Sequence, residues 1–240
     1  VKLRIRHTKL GKVRFTSHRD SARHWERAVR KVGVPLAYSA GFTPRPRMSF
    51  GLALPTGAES LAEYLDMELA EGQSPEPADL CVRFSAALPA GYEVTHVVER
   101  EAGSPSLQED VVSCSWRLTL AGVSHGELAE AVEATLGAAA LPVERERKGQ
   151  RSTDDVRPAI IDLSTTEVDH DPRPHLCAVL ATNGRALRPS ELLATMFPAL
   201  DPVDTAARVL RTQQWIERDG EVREIIPAAP VAPRAPMGCA

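Results

Sequence analysis

The chain has 240 residues, of which 43% are hydrophobic and 25% charged, with a formal net charge of −3 at pH 7. That length supports one large domain or two small ones, each with a core. No run of about 18 apolar residues is present to span a bilayer, and the opening VKLRIRHTKL reads as a charged strand instead of a secretory leader, so the expected location is the cytoplasm. Cys81, Cys114, Cys177 and Cys239 lie too far apart for a zinc ribbon or an iron–sulfur loop, and they read as reduced thiols.

The small net charge conceals a strong asymmetry. Residues 1–50 carry thirteen Lys or Arg against Asp20 and Glu26, a balance of +11, whereas residues 51–110 carry twelve Asp or Glu against Arg83 and Arg100, a balance of −10. Either the basic segment faces outward and meets phosphates or another anion, or it is neutralised by the acidic segment inside one domain.

In chain order, KLRIRHTKLGKVRFTS alternates apolar and basic residues around Gly11 and predicts one long strand or a hairpin. Ser17 is a helix cap. Ala22, Trp25, Val29 and Val32 then recur at helical spacing, and Gly33 stops the helix. PLAYSAGF and RMSFGLAL predict short strands, EYLDMELA alternates as a half-buried strand, PADLCVRFSAAL suits a helix and YEVTHVVE a strand. The order is β-α-β-β-α-β.

After the loop REAGSPSLQED the order repeats. VVSCSWRLTLA is a strand, and SHGELAEAVEATLG is a helix with Ser124 and Glu127 placed as a capping box. RPAIIDLSTTEV and HLCAVLAT are strands, RPSELLATMF a short helix and ARVLRTQQWIE a last strand. The prediction is an α+β protein of two tandem ferredoxin-like units with antiparallel sheets, one over residues 1–101 and one over 110–226. ERERKGQRSTDD predicts an exposed hairpin tip or mobile loop, and the Pro/Ala-rich residues 227–240 a disordered tail.

The chemistry concentrates near the start. At about 100° per residue, Arg19, Arg23, Arg27, Arg30 and Lys31 fall within an arc of about 120°, opposite Ala22, Trp25, Val29 and Val32. Only Asp20 and Glu26 interrupt this cationic stripe, so it is a candidate anion-binding face as well as a solvated one. Next comes GFTPRPRMSFG. Pro44 and Pro46 stiffen it and present Arg45 and Arg47 at defined positions to grip phosphates, while Phe42 and Phe50 are candidates for base stacking or core packing. Ser17, His18, Gly41 and Gly51 join these as candidate functional-loop residues.

Residues 15–69, FTSHRDSARHWERAVRKVGVPLAYSAGFTPRPRMSFGLALPTGAESLAEYLDMEL, closely resemble the radical-SAM-linked family, a domain of unknown function found beside or fused to radical-SAM enzymes. The family's typical phrase has Asn at the place of Thr43 and His at the place of Arg45. The resemblance implies a companion to a radical-SAM protein in RNA or ribosome-related modification, and it brings no catalytic residues. The radical chemistry needs three closely spaced cysteines that this chain lacks, so the partner enzyme must supply it.

Two further readings stay open. One is a protein-interaction module that binds no nucleic acid. The other is a metal-independent endoribonuclease, because tandem ferredoxin-like units look like the CRISPR repeat-processing enzymes and His18, His24, Tyr38 and Ser17 lie near the basic stripe. HDPRPH, with His170 and His175, has metal-like residue types but reads as a turn, and Asp66 with Glu68 reads as a solvated strand face. No catalytic residue, metal ligand or cofactor is assigned. The leading expectation is a non-catalytic adaptor that binds RNA or ribonucleoprotein through Arg19, Arg23, Arg27, Arg30, Lys31, Arg45 and Arg47.

Overall fold

The computed structural model describes residues 1–72, 75–147, 150–168, 170–184 and 186–226. Within them the protein is a mixed α+β structure with six α-helices and a large, mostly antiparallel sheet. Among the described residues, no helix is long and apolar enough to cross a membrane. The tail expected to be disordered, 227–240, lies outside the described residues.

The first half runs β1 (Lys2–Lys9), α1 (His18–Val32), β2 (Met48–Phe50), β3 (Glu59–Glu68), α2 (Pro77–Ala87) and β4 (Val94–Glu99). Strand β1 sits between β4 and β3, and β2 lies along the C-terminal part of β3, all antiparallel. KLRIRHTKLGKVRFTS is therefore not one strand or a hairpin, since β1 ends at Lys9 and Gly11–Phe15 form a 3-10 turn. The predicted strand in PLAYSAGF is also absent, leaving only isolated bridges from Leu36 to Leu69 and from Tyr38 to Pro46. Two prolines in the following loop withhold the donors a ladder there would need.

Alternation along β1 sends Leu3 and Ile5 to one face, where they pack with Trp25 and Val29 of α1 and Leu80 and Phe84 of α2. Arg4 and Arg6 go to the other face and are buried too. There, Ala62 and Tyr64 of β3 meet Leu107 and Ile226 in a small second core. Helix α1 begins at the Ser17 cap, whose Oγ accepts the Asp20 N–H, and ends at Gly33 in the left-handed region at φ 72°. Gly91, at φ 102°, lets the turn before β4 press against the end of β1. A Cβ there would lie 2.3 Å from the Leu10 carbonyl oxygen.

The second half follows with α3 (Leu107–Asp110), β5 (Val111–Leu120), α4 (His125–Gly137), the hairpin β6 (Pro142–Arg147) and β7 (Gln150–Asp155), β8 (Ile160–Val168), β9 (Asp171–Ala181), α5 (Pro189–Met196), α6 (Pro202–Thr205), β10 (Ala206–Arg218) and β11 (Glu221–Glu224). Helix α4 carries the expected Ser124/Glu127 capping box. Its Leu128 packs with Leu192 and Leu193 of α5 against Trp116, Leu118, Leu176 and Ala178 of the sheet. HDPRPH is not a turn throughout, because β9 already begins at Asp171.

Separate sheets were expected for the two halves, yet the strands continue into one sheet of order β4-β1-β3-β10-β5-β9-β8. The join is a short parallel pairing in which Leu210 and Arg211 of β10 face Glu59 and Ser60 of β3. Hydrophobic alternation marks a strand but does not choose its neighbour, so this seam is not written in any local pattern.

Candidate functional site

The structure separates two populations among the basic residues of the first fifty. Arg4 makes a two-pronged pair with Asp66, at 2.8 and 2.9 Å, and Arg100 approaches the same carboxylate. Arg6 meets Glu224 at 3.3 Å, Arg14 approaches Glu59 at 3.8 Å, and Glu68 takes both Lys2 and Arg47. For Lys2, Arg4, Arg14 and Arg47 the acidic segment 51–110 supplies the neutralising carboxylates, whereas Arg6 is answered by Glu224 from the far end of the described chain. Asp66 is thereby buried, so the Asp66/Glu68 stretch of β3 is not the solvated face expected of it.

The other population lies on α1. Arg19, Arg23, Arg27, Arg30 and Lys31 are all exposed, while Trp25, Ala28, Val29 and Val32 on the opposite side are buried. Arg23 pairs with Asp20 at 3.2 Å, but among the described residues no carboxylate lies within ion-pair distance of Arg19, Arg27, Arg30 or Lys31. Like charges three and four positions apart on a helix repel. This face therefore concentrates positive charge that no described carboxylate answers at ion-pair distance except at Arg23.

The Pro/Arg loop is pinned at its base. The Ser39 N–H donates to the Arg45 carbonyl at 2.9 Å, the Arg45 N–H donates to Ser39 Oγ at 3.1 Å, and the Arg47 N–H donates to the Ala37 carbonyl at 2.8 Å. Arg45 is exposed and, among the described residues, makes no ion pair, while Arg47 is tied to Glu68 at 3.1 Å. Phe42 stands fully exposed beside Gly41 at the loop's far end. Phe50 instead packs partly into the first core, its ring edge-on to His18 at 5.3 Å. Of the two stacking candidates, only Phe42 presents an unencumbered face.

Beneath the N-terminal half of α1 lies a cavity of about 30 Å³ that the sequence did not announce. His18, Phe50 and Gly51 line it, as do His7 and Lys9 of β1, Glu63 of β3 and Tyr92. Lys9 donates to the Thr16 carbonyl at 2.9 Å. Burial lowers its pKa, the Glu63 charge opposing and the Arg211 charge adding to that shift. His7 Nδ1 donates to the Thr8 carbonyl at 3.0 Å, its ring 4.9 Å from that of Trp25. Burial pushes its pKa below the ordinary imidazole value. Glu63 Oε1 receives Arg211 through Nη2 at 2.6 Å and Nε at 3.2 Å. In RIRHTK alternation puts His7 and Lys9 on the same side as Leu3 and Ile5, but their polar character hides their burial. Only the partners that cover both sides of β1 reveal them as buried.

Among the described residues no hydrogen bond joins the side chains considered for RNA cleavage to one another. Ser17 donates to Asp20 Oδ2 at 2.8 Å while capping α1, and Tyr38 sits on the loop bridge to Pro46. His24 stacks edge-on to Tyr92 at 5.8 Å, and burial, reinforced by Arg27, lowers its pKa. Far away in β9, His175 is buried, 3.2 Å from Thr119 Oγ1 and 3.6 Å from Asp171. Asp171 is engaged by Arg173, whose hydrogen bonds hold its pKa well below the carboxylate range. Among the described residues no cluster of three or more His, Cys, Asp or Glu is arranged to hold a metal.

With this geometry in place, the comparison with known families is direct, since a family profile spans residues 2–189. The chain belongs to the DUF2344 family. That family is described as uncharacterized proteins conserved in bacteria, and its match covers both cationic elements, the cavity residues of the first half and the second half as far as the start of α5. No curated protein matches the chain.

Proposed function

We propose that this DUF2344 protein is a non-catalytic adaptor of the cytoplasm that holds RNA or a ribonucleoprotein for a partner radical-SAM enzyme. The observation that carries the reading is the α1 stripe, four of whose five cations have no carboxylate partner among the described residues. Arg45 on the stiffened loop adds a fifth uncompensated charge. Such contacts grip phosphates and position a nucleic acid without reading its sequence. The two strand neighbourhoods, β4-β1-β3-β2 and β10-β5-β9-β8, support reading the fold as two ferredoxin-like units fused edge to edge. The radical-SAM partner rests on the resemblance of residues 15–69 alone, and co-purification of the untagged protein from its own cells tests it.

The RNA reading is tested by titrating a structured RNA across a salt series. Each phosphate contact contributes a slope of roughly 0.7 to 0.9 in log K against log salt. Arg27→Glu with Arg30→Glu is expected to weaken binding and flatten that slope by about two contacts' worth, with the fold retained. Affinity indifferent to salt would leave a protein-interaction module in its place.

A further inference from the structure

The cavity under α1 is lined by two buried polar side chains, His7 and Lys9, and a partly buried one, Glu63, whose bonding capacity the protein leaves incomplete. Lys9 has three N–H groups and gives one to the Thr16 carbonyl, and among the described residues no carboxylate pairs with it. Glu63 presents Oε1 to Arg211, while no hydrogen bond among the described residues reaches Oε2. His7 donates through Nδ1, which leaves the Nε2 lone pair without a partner among the described residues. The neighbouring hydroxyls satisfy one another: Thr16 Oγ1 donates to the Val13 carbonyl at 2.7 Å, and Ser21 and Tyr92 close the ring at 2.9 Å. A space of 30 Å³ takes about two waters, so a small polar group fits where those waters would sit.

The groups offered are a cationic donor beside an anionic acceptor, and their complement is a carbonyl adjacent to an N–H. We propose that this cavity receives the N–H/C=O edge of a uracil or guanine base turned out of an RNA whose phosphates lie on the α1 stripe. Lys9 donates to the base carbonyl and Glu63 Oε2 accepts the ring N–H. Cytosine and adenine carry a ring-nitrogen lone pair at that place, which would face the Glu63 carboxylate lone pairs. His18 and Phe50 stand at the cavity wall with their rings 5.3 Å apart, so entry of the base edge requires that contact to open. His18 and Ser21, both lining residues, share α1 with Arg19 and Arg23, so a phosphate gripped by the stripe lies on the helix that roofs the cavity.

The proposal rests on the RNA reading, and the test separates the two. Uridine, cytidine and abasic oligomers of equal length are titrated at fixed salt into the wild type and Lys9→Met. The expected result is a preference of about tenfold for the uridine oligomer, lost in Lys9→Met, with the salt slope unchanged. Equal affinity for all three oligomers with a steep salt slope overturns the base pocket and leaves the phosphate reading standing. Binding of none of them overturns the phosphate reading. The pocket is then judged on the wild type by the His7 imidazole resonances with uridine or cytidine monophosphate, and a shift with uridine alone supports it. No shift overturns it, an arm that does not depend on Lys9→Met folding.

Discussion

At the scale of single residues, His7 shows how burial decides chemistry. Its imidazole lies between Trp25 and Tyr92, at ring distances of 4.9 and 5.9 Å, and burial outweighs the raising influence of Glu63 to depress its pKa. The unfolded chain takes up the proton near the ordinary value of 6.5, whereas the folded protein resists it. His7 therefore supports stability fully above that value, and the support is lost as pH falls from there toward the depressed folded pKa. Chemical denaturation at pH 7.5 and pH 5.5 is expected to show the gap between wild type and His7→Asn narrowing at the lower pH. A constant gap would mean that His7 titrates alike in both states. The sequence did not single out His7 or Lys9, because alternation puts them on the Leu3/Ile5 face while an imidazole and an ammonium near a strand's end do not by themselves read as buried. Arg45 was legible, since a loop with two prolines leaves its side chain little choice but solvent.

At the scale of elements, the cations of β1 and those of α1 stand in different surroundings, and magnitudes separate them. Breaking a buried ion pair by removing one partner costs about 3 to 5 kcal/mol, because the remaining charge stays desolvated. Asp66 is 6% exposed and answers both Arg4 and Arg100, so Asp66→Asn is expected to lower stability by about that amount in urea denaturation. Arg27→Ala, on the exposed stripe, is expected to leave the unfolding midpoint nearly unchanged while weakening RNA. Helix α1 was readable in advance because its cap, its apolar spacing and its glycine stop agree. The strand expected in PLAYSAGF was not there, since its apolar residues serve a loop base closed by a few hydrogen bonds instead of a ladder.

At the scale of the whole molecule, the two halves are held by a seam of few backbone pairs and several charges. Arg211 on β10 is fully buried, meets Glu63 at 2.6 Å and also donates to the Leu52 carbonyl at 3.0 Å. Arg208 meets Glu59, and Gln214 donates to the Ala62 carbonyl. Arg211→Met and Glu63→Gln are each expected to destabilise by about 3 to 5 kcal/mol, and the double variant by clearly less than their sum. Additive losses in the denaturation cycle would show that the pair is not coupled. The succession of strands and helices within each half could be read from periodicity. The partnership of β3 with β10 could not, because Glu63 and Arg211 are 148 positions apart and nothing local links them. That seam also governs what happens when the halves are parted. Each fragment would keep a strand, β3 or β10, with a stretch of its edge unpaired and a buried-type charge laid open to water. Such rims recruit other chains, so expression of either half alone should end in self-association, and the intact polypeptide is its own best guard against it.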